Sequence, residues 1–178
     1  PNRIYNNLFY NDTPATDEGT ASIFATVWGG TLYVYNNVSI NPLSPYGFFY
    51  AQDGGGTGYG NSAPDYVIAN NSIYHDSGRG ISLRTLNSVY ALNQGTTKIY
   101  NNAFYHSGTS AAYPFSFNLG SDIYSMPTEI KNNRIYTGRS DHEIAVVSQG
   151  GSPAYVYKTV TTLNAMDNAN YTGNVEVN

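Results

Sequence analysis

Five pairs of adjacent asparagines, Asn6-Asn7, Asn36-Asn37, Asn70-Asn71, Asn101-Asn102 and Asn132-Asn133, recur along the chain at spacings of 30, 34, 31 and 31 residues. Such pairs suit neither a helix interior nor a plain strand, because the short amide competes with the backbone for its own hydrogen bonds. The flanks repeat with them. Two positions before each pair stand Ile4, Val34, Ile68, Ile99 and Ile130, and two positions after it stand Phe9, Ser39, Ile73, Phe104 and Ile135. The apolar frame therefore recurs with one exception, Ser39. A period of this length marks a repeat architecture, in which each unit buries its apolar positions against its neighbours.

Between the pairs lies a second set of apolar runs: SIFATV, GFFYA, GISLRT, PFSFNL and EIAVVS. The alternations Ile81/Leu83, Phe115/Phe117 and Ile144/Val146 predict half-buried strands. A third set is VYALN (89–93), DIYSM (122–126) and AYVYKTV (154–160), so each repeat offers about three short strands separated by bends. Helical periodicity is absent apart from a short turn at Leu163 to Met166. Units of this kind could be propeller blades, sandwich hairpins or coils of a solenoid. Tight-hairpin dipeptides are nearly missing, the one Asp-Gly (Asp53-Gly54) opening a glycine-rich loop, which argues against antiparallel connections. Coils fit better. In a coil each strand pairs in parallel with its equivalent one winding later, about 4.8 Å away, so equivalent residues stack into ladders. Asparagine then has two uses: it tolerates the left-handed backbone of a sharp bend, and its amide can donate to and accept from the asparagine above and below. The expectation is an all-β, right-handed, single-stranded parallel β-helix of about five to six coils. It forms one domain over residues 1–178, as a window of, or a subunit in, a longer solenoid.

Composition narrows the partners. With a net charge of −4 and only eight Lys plus Arg, the counterion release that drives nucleic-acid binding has little to act on. Charged residues make up 11% of the chain while tyrosine alone supplies 18 residues, so the surface is built from neutral hydrogen-bonding groups. No run approaches the roughly 18 apolar residues of a spanning helix, and the opening PNRIYNN lacks a charged-then-apolar leader, so no membrane insertion is expected. Cysteine is absent, which rules out disulfides and thiolate metal sites but leaves the compartment open.

The motif I-x-N-N-x-I/F at intervals of about 30 residues, with G-I-S-L between, resembles the right-handed parallel β-helix repeats of the pectin-lyase-like superfamily. The closing segment VYKTVTTLNAMDNANYTGNVEVN is similar to the last coil of secreted bacterial members. The resemblance covers nearly the whole chain and implies an extracellular or cell-surface location. It does not imply one activity, since the superfamily includes polysaccharide lyases, glycoside hydrolases, epimerases and adhesins. Its lyases neutralise a uronate with calcium held on clustered acids, and its hydrolases use carboxylates about 5–9 Å apart. Here the twelve acids are scattered (Asp12, Asp17, Glu18, Asp53, Asp65 and Asp141 in loops), and no column stacks two of them. The N-T-D, D-D, G-H-G, R-I-K and R-x-P-x-x-R signatures of the enzymes are also missing.

Aligned on the asparagine pair, the third following position reads Tyr10, Ile40, Tyr74, Tyr105, Tyr136 and the fourth reads Asn11, Asn41, His75, His106, Thr137. Both are read as outward columns, so Tyr74, Tyr105, Tyr136, His75 and His106 would stand side by side. With Arg134, Arg139, Asp76 and Arg79 at the edge, they could stack on sugar rings and hydrogen-bond their hydroxyls. The plainer reading is an aromatic ladder that stabilises stacking, at about 0.2–1 kcal/mol per contact. His75 and His106 beside Asp76 have metal-ligand or general-base chemistry, but two ligands of unknown facing do not make a site. Lys98 aligns with Glu129 as a surface ion pair. The functional expectation is a non-catalytic extracellular structural module. It would bind glycan through Tyr74, Tyr105, Tyr136, His75, His106 and Arg134, or join end to end into a filament. A polysaccharide lyase or glycoside hydrolase is the alternative. No cofactor is expected, calcium being the ion a lyase would call for.

Overall fold

The computed structural model of the chain describes residues 1–11, 21–25, 30–41, 46–52, 64–76, 78–84, 96–108, 113–118, 126–148 and 156–177. The predicted strand at 89–93, most of that at 122–126 and the glycine-rich loop at 53–63 lie outside the described residues.

The described strands form three sheets of six. The first sheet holds β1 (Asn2–Tyr5), β4 (Gly30–Tyr35), β7 (Pro64–Ala69), β10 (Thr97–Tyr100), β13 (Glu129–Lys131) and β17 (Tyr171–Thr172). The second holds β2 (Leu8–Tyr10), β5 (Val38–Ile40), β8 (Ser72–His75), β11 (Ala103–His106), β14 (Arg134–Thr137) and β18 (Val175–Glu176). The third holds β3 (Ile23–Ala25), β6 (Phe49–Gln52), β9 (Ile81–Arg84), β12 (Phe115–Asn118), β15 (Ala145–Ser148) and β16 (Val156–Lys158). Each strand pairs in parallel with its equivalent one repeat along, as in Ile99 against Ile68 on one side and Ile130 on the other. The chain is a parallel β-helix. Among the described strands only the β15–β16 pair is antiparallel.

The asparagine pair divides its labour. The first member turns the chain from the first sheet into the second with a left-handed backbone, φ being 55 to 56° at Asn6, Asn36, Asn70, Asn101 and Asn132. Asparagine and glycine are the residues that hold this conformation cheaply. The second member points inward, with Asn37, Asn71, Asn102 and Asn133 all at most 1% exposed. Its Oδ1 accepts both the backbone N–H and the Nδ2 of the asparagine one coil earlier, at 3.0 Å each for Asn71 on Asn102. A sixth rung closes the series: Gly173 takes the bend at φ 68° and Asn174 Oδ1 accepts from Asn133 Nδ2 at 2.8 Å.

The core fills the space between the sheets. Val34, Ile68, Ile99 and Ile130 are fully buried in one column, and Ile73, Phe104 and Ile135 form the next. Ser39 interrupts this second column. Beside its strand partner Phe9 lies the fully buried ring of Phe48, edge-on at 5.9 Å, which supplies apolar volume from the third side. In the third sheet the inward columns are Phe49, Ile81, Phe115, Ala145 and Ala51, Leu83, Phe117, Val147. The expected alternation Ile144/Val146 holds only at Ile144, which is fully buried in the core just before the strand; within the strand the inward set is shifted by one, to Ala145 and Val147. Ala145 aligns with Phe115, while Val146 aligns with Ser116 on the outward side.

Among the described residues one helix, α1 (Val160–Asn164), lies where the sequence predicts only a short turn three residues later. Thr159 caps it through a reciprocal side-chain arrangement with Thr162, and Val160 and Leu163 are buried in the core. The capping box satisfies N–H groups that would otherwise be orphaned at the start of so short a helix.

Candidate functional site

The pleat of β8, β11 and β14 sends alternate residues to opposite faces. Ile73, Phe104 and Ile135 point in, so Tyr74, Tyr105 and Tyr136 point out. Their rings stack face to face, 4.8 Å and 9° apart for Tyr74 and Tyr105, and 4.4 Å and 6° apart for Tyr105 and Tyr136. Tyr74 and Tyr105 are 43% and 41% exposed. The middle hydroxyl is held above the ordinary phenol pKa, first by partial desolvation and then by the neighbouring Tyr136 and Tyr74 hydroxyls. Because each ring face is covered by the next ring, the column presents ring edges and hydroxyls to solvent along most of its length.

Arg134 is exposed on the same face, two residues before Tyr136. The strip also takes in Tyr10, from the same outward column, and three residues outside that column, Leu8, Val38 and Val175. Tyr10 and Leu8 are both 65% exposed, Val38 is 41% and Val175 is 44% exposed. Leu8, Val38 and Val175 occupy the first position after the asparagine pair, Tyr10 the third. The signal was therefore present: it is the other outward position of the same short strand.

His75 and His106 correct the expectation of a shared Tyr/His column. The fourth position after the pair alternates back to the inside, and both histidines are fully buried. Their rings meet edge to face at 4.9 Å. Neither can reach a ligand on the tyrosine strip. Burial lowers the His106 pKa below 6.5, the backbone at Gly78 and Gly108 opposes this more weakly, and the Arg139 charge adds to the lowering. Asn11, Asn41 and Thr137 continue this inward column, Thr137 at 9% exposure.

Acid should therefore weaken the fold. A histidine with a depressed folded-state pKa adds its full stability above the unfolded value of 6.5 and loses it as pH falls towards the folded value. The slope is at most about 1.4 kcal/mol per pH unit. His142 runs the other way, since Glu176, 2.6 Å from its Nδ1, raises its pKa. Its contribution is already complete below 6.5, so it does not mask the window. Urea midpoints should drop as pH falls below 6.5, and His106→Leu should flatten that slope.

The remaining edge groups are engaged elsewhere. Arg139 is bound by Asp141 and, at 3.4 Å, by Glu143, with its guanidinium carbon 4.6 Å from the centre of the Tyr113 ring. Arg79 lies 5.8 Å over Tyr46. Asp76 lends its backbone carbonyl to a close passage of Gly108, where a Cβ would come within 1.8 Å of that oxygen. Lys98 and Glu129 form the expected ion pair at 2.7 Å, with Lys131 joining at 3.3 Å. Such exposed pairs contribute little. Among the described residues no group of three His, Cys, Asp or Glu is placed to hold a metal ion, and no helix is long and apolar enough to cross a membrane. No protein-family model, curated protein or solved structure matches the chain.

Proposed function

We propose that the chain is a non-catalytic structural module of the extracellular or cell-surface kind, a β-helix of the pectin-lyase-like type. It would hold a glycan along the outer face of its second sheet. The observation that carries this reading is the outward strip of exposed Tyr74 and Tyr105 with half-buried Tyr136, extended by the exposed Tyr10, Leu8, Val38 and Val175. A contiguous apolar and aromatic surface of this kind on a soluble fold marks an interaction site. The strip is nearly free of charge and edged with hydroxyls, which suits a polymer of neutral or weakly acidic sugars. Arg134 can pair with an occasional carboxylate. Since the ring faces are taken up by one another, a sugar chain would meet ring edges and phenol hydroxyls, with face stacking confined to the ends of the column.

Affinity electrophoresis in gels containing β-glucan, xylan or polygalacturonate tests the proposal. At least one polymer should retard the native protein. The combined Tyr74→Ala, Tyr105→Ala and Tyr136→Ala variant should lose retardation by about tenfold or more while keeping its strand circular dichroism. No retardation by any polymer would remove the glycan and leave a bare scaffold. Unsaturated or reducing ends released from the polymers, with or without calcium, would overturn the non-catalytic reading in favour of a lyase or hydrolase.

A further inference from the structure

The asparagine ladder has a direction, and its two ends are finished differently. In each rung after the first, Nδ2 donates back to a carbonyl of the preceding coil: Asn37 to Ile4, Asn71 to Val34, Asn102 to Ile68, Asn133 to Ile99 and Asn174 to Ile130, at 2.7 to 3.2 Å. Each Oδ1 from Asn37 onward receives the two donors of the asparagine before it. Asn7 is the exception. It is exposed, its Nδ2 reaches Asn37 Oδ1 and, as at Asn37 and Asn102, the carbonyl two residues earlier, but no carbonyl of a preceding coil, and no described residue donates to its Oδ1. The surrounding core is open in the same place. Ile4 and Phe9 are only half-buried, although Val34, Ile68 and Ile99 in the Ile4 column are fully buried. β1, β2 and β3 form the outer edges of all three sheets at this end.

The opposite end is closed. Val160 and Leu163 of α1 are buried in the core there, and Asn164 takes the place of a further rung: its Oδ1 accepts from Asn174 Nδ2 at 2.7 Å and its Nδ2 donates to the Asn174 carbonyl at 3.1 Å. Antiparallel β16 occupies the edge of β15. Glu176 stands in the inward register position next to Ile135 and bonds His142. Another apolar coil stacked there would bury that carboxylate.

We propose that the N-terminal face is a docking surface for one further parallel coil of this same repeat, open on both of its faces. That coil runs parallel to β1, β2 and β3 and carries an asparagine that gives its backbone N–H and Nδ2 to Asn7 Oδ1. Its carbonyl three residues before that asparagine receives Asn7 Nδ2. A second copy of the chain does not meet these requirements. Its C-terminal face offers α1 and a rung already capped by Asn164. Its N-terminal face, approached head to head, would set strands antiparallel and bring asparagine ends together in the wrong sense. The requirement is for a coil with both faces open.

The test places a copy of residues 97–127 directly before Asn2, in place of Pro1, in the full chain. The register Thr97 to Tyr66, Tyr66 to Leu32 and Leu32 to Asn2 puts the copied Asn102 one rung above Asn7. A single unfolding transition is expected, with Tm raised by about 4 °C or more and tryptic cleavage after Arg3 slowed at least tenfold. Asn7→Ala should change the unextended chain little but remove more than half of the gain in the extended one. A second transition, no gain in Tm, or a gain indifferent to Asn7→Ala would overturn the proposal. So would sedimentation of the unextended chain as a dimer that Asn7→Ala dissociates, because the face would then belong to a second copy.

Discussion

Asn102→Ala is expected to cost about 3–5 kcal/mol, far more than the same change at the exposed Asn7. Asn102 Oδ1 accepts the backbone N–H and Nδ2 of Asn71, and its own Nδ2 donates to Asn133 Oδ1 and to the Ile68 carbonyl, all at 3.0 Å. Both neighbouring asparagines are buried, so bulk solvent does not reach the groups that would lose their partner. The Asn71 N–H would be left without a partner, at about 1–3 kcal/mol, and several further hydrogen bonds of about 0.5–1.5 kcal/mol each would go with it. Asn102→Asp should be no better, because its donating end becomes a second oxygen facing Asn133 Oδ1. Urea unfolding of Asn102→Ala beside Asn7→Ala checks the claim. Equal small losses at the two positions would mean that the ladder is decorative.

Ile99→Ala is expected to cost about 2–5 kcal/mol through lost burial and a residual cavity. The side chain is fully buried, with Ile68 and Ile130, also fully buried, stacked directly against it. Backbones one coil apart are fixed by sheet hydrogen bonds and cannot close over the gap, which places the site towards the upper part of that range. Tyr105→Ala should cost clearly less, about 1–2 kcal/mol, because its ring is 41% exposed and loses two stacking contacts worth about 0.5–1.5 kcal/mol each. Chemical denaturation of the two variants, with the order reversed, would contradict the assignment of inside and outside on this sheet.

Much of the fold was legible because its determinants are local and repeated. A left-handed bend needs Asn or Gly at one position, an internal amide ladder needs Asn at the next, and apolar residues two positions to either side must then share one face. The histidines could have been placed by the same rule, since alternation within β8 puts His75 with Ile73. An outward histidine column takes the third and fourth positions for neighbours on one surface, whereas the pleat sends them to opposite sides. The shift at Ile144 was less accessible. The chain re-enters the third sheet after a bend whose length varies between repeats, so the phase of alternation is reset there, and only pairing of Phe115 with Ala145 fixes it.

By itself the sequence determined the winding unit, the residue that makes each turn and the identity of the main core columns, since equivalent positions in successive repeats must satisfy the same backbone and burial demands. The tertiary structure alone decided that Phe48 lies buried beside the column that Ser39 interrupts, that Asn164 and α1 end the ladder, and that the tyrosine faces cover one another. Those outcomes depend on contacts between segments far apart in the chain, whose relative height along the axis no local pattern encodes.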